Sequence, residues 1–270
     1  VTDVAADTHA SFERFSRGAG GLAGATGDPA YAVWLEDWSV RETEPGVAHL
    51  QATVAGENGE IALDLTLRET QAAVLHGDRG VSQKGPEAGN ASYYYSLVQL
   101  ETTGTVTSQG ATVEVTGVSW MDHEFGTSAL SANAVGWDWF SVQLDHGAVL
   151  MFAQVRTADG GVIDEFTGTY VAADGTRETI QSGDLTLQVL AQWTSPRTQI
   201  TYPSGWQIQI PRLGVDFTVE PAIKDQEMEV SFVYWEGAVT IAGTLDKTPV
   251  QGVGYVELTG YGPQASQYQR

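Results

Sequence analysis

The chain has no cysteine, which removes a disulfide framework, a thiolate metal site and a cysteine nucleophile together. Lysine is nearly as scarce, with Lys84, Lys224 and Lys247 as the full set. Thirteen basic residues stand against 34 acidic ones, a formal net charge of −21. That excess repels polyanions such as nucleic acid, and anionic membrane surfaces, and leaves neutral or cationic small molecules as the better partners. Long apolar runs are also missing. The stretch from Ala148 to Ala153 falls far below the roughly 18 residues a membrane span requires, so a chain that does not span a membrane is expected. Val1 does not open a signal peptide, because no basic start and apolar run follow it, and a periplasmic or secreted location is expected ahead of a cytoplasmic one.

What is present is alternation. In Thr112-Val113-Glu114-Val115-Thr116 and in Phe140-Ser141-Val142-Gln143-Leu144-Asp145, side chains change face at every step, the period of a half-buried strand. Asp145-His146-Gly147, Ala158-Asp159-Gly160-Gly161 and Ala173-Asp174-Gly175 supply turns between such runs. The spacing predicts antiparallel hairpins in a barrel or sandwich, with helix confined to a turn near Ala10 to Phe15. The glycine-rich stretch from Gly18 to Gly27 lacks the Lys-Ser/Thr ending of a phosphate-binding loop and is read as a flexible or tightly turned loop.

A weak repeat sharpens the domain organisation. Val115-Thr116-Gly117-Val118-Ser119-Trp120-Met121-Asp122 aligns with Val250-Gln251-Gly252-Val253-Gly254-Tyr255-Val256-Glu257, and Tyr95 followed by Gly104-Thr105 matches Tyr234 followed by Gly243-Thr244. Two copies of one β-unit are expected, residues 1–133 and 134–270, with a small, polar linker over Thr127 to Ala134.

Chemistry concentrates between Trp120 and Phe140. Asp122, His123, Glu124 and Asp138 lie there among Trp120, Phe125, Trp137, Trp139 and Phe140, with Gly126 and Gly136 as breaks. A carboxylate against an apolar wall resists ionisation and becomes a proton donor. Asp122 and Glu124 share one face of a strand and His123 takes the other, so the three converge only where a bulge or turn near Gly126 breaks the alternation.

Tyr94-Tyr95-Ser96, Trp120-Met121-Asp122-His123-Glu124-Phe125-Gly126, Gly136-Trp137-Asp138-Trp139-Phe140, Tyr234-Trp235-Glu236-Gly237 and Gly254-Tyr255-Val256-Glu257-Leu258-Thr259-Gly260-Tyr261 together resemble the AttH and carotenoid 1,2-hydratase (CrtC-like) family over essentially all 270 residues. The resemblance implies an all-β protein of two lipocalin-like antiparallel barrels packed together. Two departures accompany it. Family members usually begin with a further stretch carrying a Glu-Trp-Trp-Tyr strand, so the first barrel is expected to be incomplete at its start, with a separate chain or fragment supplying the missing strands. The family's hydratase pattern has a His-x-Trp pair and then a Tyr-Asp neighbourhood. This chain keeps His123 but has Phe125 at the Trp position, and its next hairpin, Leu150-Met151-Phe152-Ala153-Gln154, has neither partner.

Hydrating an isolated alkene needs a proton donor and a surface that stabilises a carbocation. A neutral carboxylic acid supplies the first and aromatic faces the second. Asp122 and Glu124 are the expected donors, with His123 orienting or relaying protons, and Tyr95, Trp120, Phe125, Trp137 and Asp138 lining the ligand site. The expected ligand is a hydrophobic small molecule, isoprenoid- or polyketide-like, held at the barrel junction. The chemistry is cofactor-free hydration, isomerisation or cyclisation. Two other readings stay open: a carrier whose acids are structural, and an envelope-associated scaffold. Each residue also has a plain role available, His123 as a structural hydrogen-bonded histidine, and Trp139, Trp206 and Trp235 as core or interface. No Gly-x-Ser-x-Gly elbow supports a serine hydrolase, and His9, His49, His76, His123 and His146 show no zinc spacing, so no metal is expected.

Overall fold

The computed structural model describes residues 1–56, 59–87, 89–127, 130–131, 133–165 and 168–262. Among them there is no α-helix, only short 3-10 turns such as Ser182–Asp184, and every paired strand with a described register is antiparallel. The protein is all-β, as the alternation predicts.

The first strands, β1 (Thr2–Asp3) and β2 (Thr8–His9), form a small ribbon. A nine-stranded sheet follows, built from β3 (Ala23–Thr26), β4 (Ala32–Leu35), β5 (Trp38–Glu44), β6 (Val47–Gly56), β7 (Gly59–Glu69), β8 (Val74–Leu75), β9 (Val81–Gln83), β10 (Ala91–Ser108) and β11 (Ala111–Phe125). Its path runs β11-β10-β7-β6-β5-β4-β3, with β8 and β9 pairing on β10. The ten-stranded sheet starts with β12 (Ala134–Leu144), β13 (Val149–Thr157), β14 (Gly168–Val171), β15 (Arg177–Ile180) and β16 (Thr186–Val189). After the ribbon of β17 (Gln192–Thr194) and β18 (Thr201–Pro203), it is completed by β19 (Trp206–Ile210), β20 (Val215–Pro221), β21 (Glu227–Glu229), β22 (Val233–Leu245) and β23 (Thr248–Leu258). Its path runs β15-β14-β13-β12-β23-β22-β20-β19-β16.

Two compact units emerge. One comprises Val1–Ser11, Leu75–Tyr95 and His123–Arg270, the other Phe12–Val74 and Ser96–Asp122. The first holds a large apolar core in which Phe140, Phe152, Trp206, Phe217 and Trp235 are buried, so Trp206 and Trp235 are core residues as expected. Phe140 stacks on Phe152 at 4.6 Å and meets Trp206 edge-on at 5.4 Å. The second unit buries less, chiefly Val47, Leu67, Val74, Val98 and Leu100 at alternate positions of its strands. Both repeat copies lie on strands, at β11 and β23.

Three local expectations change. Ala10 to Phe15 is not helical. Its side chains reach onto neighbouring strands instead: the Arg14 guanidinium lies 4.6 Å over the Trp38 ring and pairs with Asp37. These contacts outweigh local helix propensity. The glycine-rich stretch is a 3-10 turn at Ala19–Gly21 followed by strand β3, ordered by the Trp34 indole N–H, which donates to the Gly21 carbonyl at 2.8 Å. Of the expected linker, residues 128, 129 and 132 lie outside the described residues, while Ser131 is buried and takes a 3.1 Å hydrogen bond from Asn90 Nδ2. Gly136 marks a register shift in β12, where a Cβ would stand 2.3 Å from the Thr259 carbonyl oxygen.

Candidate functional site

Near the end of β11 the expected triad is divided: Asp122 and Glu124 meet Ser96 and Ser92 of β10, while His123 meets Tyr95 between them. Alternation keeps Asp122 and Glu124 on one face and His123 on the other. Asp122 is exposed and accepts hydrogen bonds from Ser96 Oγ and, at 2.8 Å, from Trp120 Nε1. Trp120, two residues away, shares its face. Glu124 accepts from Ser92 Oγ at 2.7 Å and pairs with Lys84 Nζ at 2.7 Å. Lys84 is only 7% exposed, and its ammonium lies 5.0 Å over the Tyr94 ring, so Glu124 and an aromatic face compensate a buried cation. The Tyr94 hydroxyl in turn accepts from Trp139 Nε1 at 3.0 Å.

The opposite face carries a row of rings. His123 Nδ1 is 2.9 Å from the Tyr95 hydroxyl, with the two rings edge-on at 5.1 Å. Phe125 lies 4.9 Å from His123 and stacks on Tyr93 at 5.5 Å with planes 27° apart. Tyr93 is 59% and Phe125 50% exposed, so the row presents aromatic surface. His123 Nε2 has no hydrogen-bond partner among the described residues.

Asp138 belongs elsewhere. It is buried on β12 and held by Arg156 Nε at 3.1 Å and by the Tyr261 hydroxyl at 2.9 Å, while the Arg156 guanidinium sits 4.0 Å over the Tyr261 ring. Burial pushes the Asp138 carboxyl above the usual carboxylate range, against the pull of Arg156 and Tyr261. Trp137 and Trp139 are half-buried, and the Trp137 backbone N–H donates to Thr259 Oγ1 at 2.9 Å. A further carboxylate, Glu227, is buried and accepts from Ser195 Oγ at 2.5 Å, Thr198 Oγ1 at 2.6 Å and the Tyr202 hydroxyl at 2.9 Å. Among the described residues no group of three or more His, Asp or Glu is placed to hold a metal ion.

Sequence reading missed Tyr93, Lys84, Arg156 and Tyr261. Tyr93 could have been found, because it opens the run Tyr93-Tyr94-Tyr95 and shares the face of Tyr95. Lys84 carried a fainter signal as one of three lysines. Arg156 and Tyr261 reach Asp138 only through tertiary pairing.

Curled antiparallel sheets, an apolar core inside the ten-stranded one and an acid-aromatic strand end define a lipocalin-like all-β protein. The family model described as AttH-like matches residues 1–261, and the chain belongs to this AttH-like family. A crystal structure of a Nitrosomonas europaea protein assigned as AttH is similar with a TM-score of 0.76 and 35% identity, covering 85% of this chain and 70% of that one. Kievitone hydratase of Fusarium solani subsp. phaseoli is 27% identical over 225 residues, 80% of this chain and 61% of that protein. The chain thus spans about three fifths of this curated relative's length. The crystal structure of kievitone hydratase from Nectria haematococca shares the fold, with a TM-score of 0.67 at 20% identity over 85% of this chain and 70% of that one.

Proposed function

We propose that the protein adds water to a carbon–carbon double bond of a hydrophobic small molecule, without a cofactor, and that His123 carries the proton. The observation behind this reading is the ring row: a histidine with one nitrogen anchored by Tyr95 and the other unbonded, between aromatic faces. Protonated His123 gives its Nε2 proton to one alkene carbon, and the π electrons form the new C–H bond, leaving a carbocation at the other carbon. The faces of Tyr93, Tyr95 and Phe125 attract that cation. Water then adds through oxygen, and its surplus proton returns to Nε2, so the sum is one water added. Tyr95 fixes the ring in either proton arrangement, because its hydroxyl both donates and accepts. Intercepted by a base or by a second double bond instead of water, the same cation leads to isomerisation or cyclisation.

Asp122 and Glu124 fit a supporting place here. Each carboxylate already accepts from two side chains, so lone pairs are committed to Ser96 and Trp120, or to Ser92 and Lys84. A relative bearing the name kievitone hydratase supports the hydration class. The division at 133/134 is kept as part of this proposal, since β3–β11 precede it and β12–β23 follow it.

The test is turnover in ¹⁸O-labelled water with kievitone and with an acyclic polyene as probes. Label in the product and a loss of about 10²-fold or more in His123→Ala are expected, with a smaller loss in Tyr95→Phe. An unchanged rate in His123→Ala overturns the assignment, and retention of probe without turnover makes the protein a carrier.

A further inference from the structure

We infer that a cleft at the β15 edge of the ten-stranded sheet is a second small-molecule site, separate from the ring row, for an uncharged ligand with an apolar body and a polar end. A cavity of about 230 Å³ opens there between β13, β14, β15 and the turn at Ser182–Asp184. Its floor is Phe152, Ile163 and Ile180, all buried, and Leu185 stands half-buried beside them. Tyr93, Tyr95, His123 and Phe125 do not line it.

Size sets the first limit on the ligand. A cavity of about 150 Å³ accepts benzene, so this cleft of about 230 Å³ has room for a body about the size of two fused rings, near the small end of ligand pockets. Charge sets the second. No lysine, arginine or histidine lines the cavity, and the chain carries −21 overall, so a carboxylate or phosphate has no counter-charge on entry. The lining acid, Asp164, is exposed and accepts from Ser182 Oγ at 2.9 Å. Of the two lining carboxamides, Gln181 accepts the Asp184 backbone N–H in the cap of the Ser182–Asp184 turn, while that of Gln154 is half-buried and without a hydrogen-bond partner among the described residues. It offers a donor and an acceptor to a ligand hydroxyl or carbonyl.

The neighbouring position explains why the polar end belongs there. Gln154 lies directly opposite Asp138 across β12 and β13. Asp138 is closed off by Arg156 and Tyr261, which leaves Gln154 as the partner a ligand can reach. An apolar body against Phe152 and Ile180, with its oxygen at Gln154, matches the apolar floor and the open carboxamide.

Titration of the whole chain with 2-naphthol, followed by calorimetry and by methyl NMR, tests this. Saturable 1:1 binding is expected, with shifts at the Ile163, Ile180 and Leu185 methyls, and with 2-naphthoate at least tenfold weaker. Leu185→Trp fills the space and should abolish binding. Gln154→Leu, nearly isosteric, should weaken 2-naphthol about tenfold while leaving naphthalene unchanged. His123→Ala should bind 2-naphthol as wild type does, so this site and the proton-transfer reading fail independently. The inference is overturned by shifts that map to His123 and Phe125, by wild-type affinity in a folded Leu185→Trp protein, by absence of binding, or by tighter binding of 2-naphthylmethylammonium than of 2-naphthol.

Discussion

Two sets of carboxylates answer differently to the same composition. Asp122 and Glu124 stand exposed at the end of β11 and draw on nearby donors. Asp138 and Glu227 are buried in the first compact unit, and each is met by groups far away in sequence: Tyr261 lies 123 residues from Asp138, and Ser195 lies 32 from Glu227. Among the described residues, the carboxylates that leave water, Asp138 and Glu227, are ones to which the fold delivers guanidinium or hydroxyl donors from distant segments. Clustering acids beside tryptophan in sequence does not achieve that.

The contrast can be broken most directly at Glu227. Glu227→Ala removes the buried acceptor of the Ser195, Thr198 and Tyr202 hydroxyls and should cost about 3–5 kcal/mol in urea unfolding. A loss below about 1 kcal/mol would erase the distinction between the two sets.

A buried base sharpens the same point. His76 is 1% exposed, bonds Thr169 Oγ1 through Nδ1 at 2.8 Å, and has its pKa lowered to about 3, first by burial and then by Lys84 and Arg177. A folded pKa below the unfolded one means that its contribution is complete above the ordinary value of 6.5 and drains away as pH falls toward about 3. The loss should reach roughly 3 kcal/mol by about pH 4, and His76→Gln should flatten that slope when stability is followed against pH.

The smallest effect is expected at the exposed set. Asp122→Asn keeps an acceptor for Trp120 Nε1 and should shift stability by less than about 1 kcal/mol in the same assay. Its turnover should stay within about tenfold of wild type, whereas a loss matching that of His123→Ala would return the donor role to the carboxylate.

Much of the fold was legible because period-two alternation is a local signal. Thr112 to Thr116 and Phe140 to Leu144 are strands, though not half-buried ones, since the first is exposed except at Val115 and the second is buried at every position; Gly147 and Gly175 turn with φ of +92° and +86°. The segment from Ala10 to Phe15 was not legible, since Arg14 is placed by Trp38 and Asp37 rather than by its neighbours. The strand end was legible in part. Alternation alone separates His123 from Asp122 and Glu124, but it does not say that Lys84 would be buried beneath Glu124, or that Tyr93 would complete a stack with Phe125. Asp138 looked like a member of the same cluster from its spacing. Its partners, Arg156 and Tyr261, come from β13 and from beyond β23, which no local pattern encodes.

Lys84 gives the strand end a chemical signature. Lys224 and Lys247 are exposed and open to an acylating reagent, while Lys84 keeps its amine under Tyr94 and against Glu124. In a chain with so few primary amines, the rate at which the third one takes up label is a clock for how often the tip of β11 lets go.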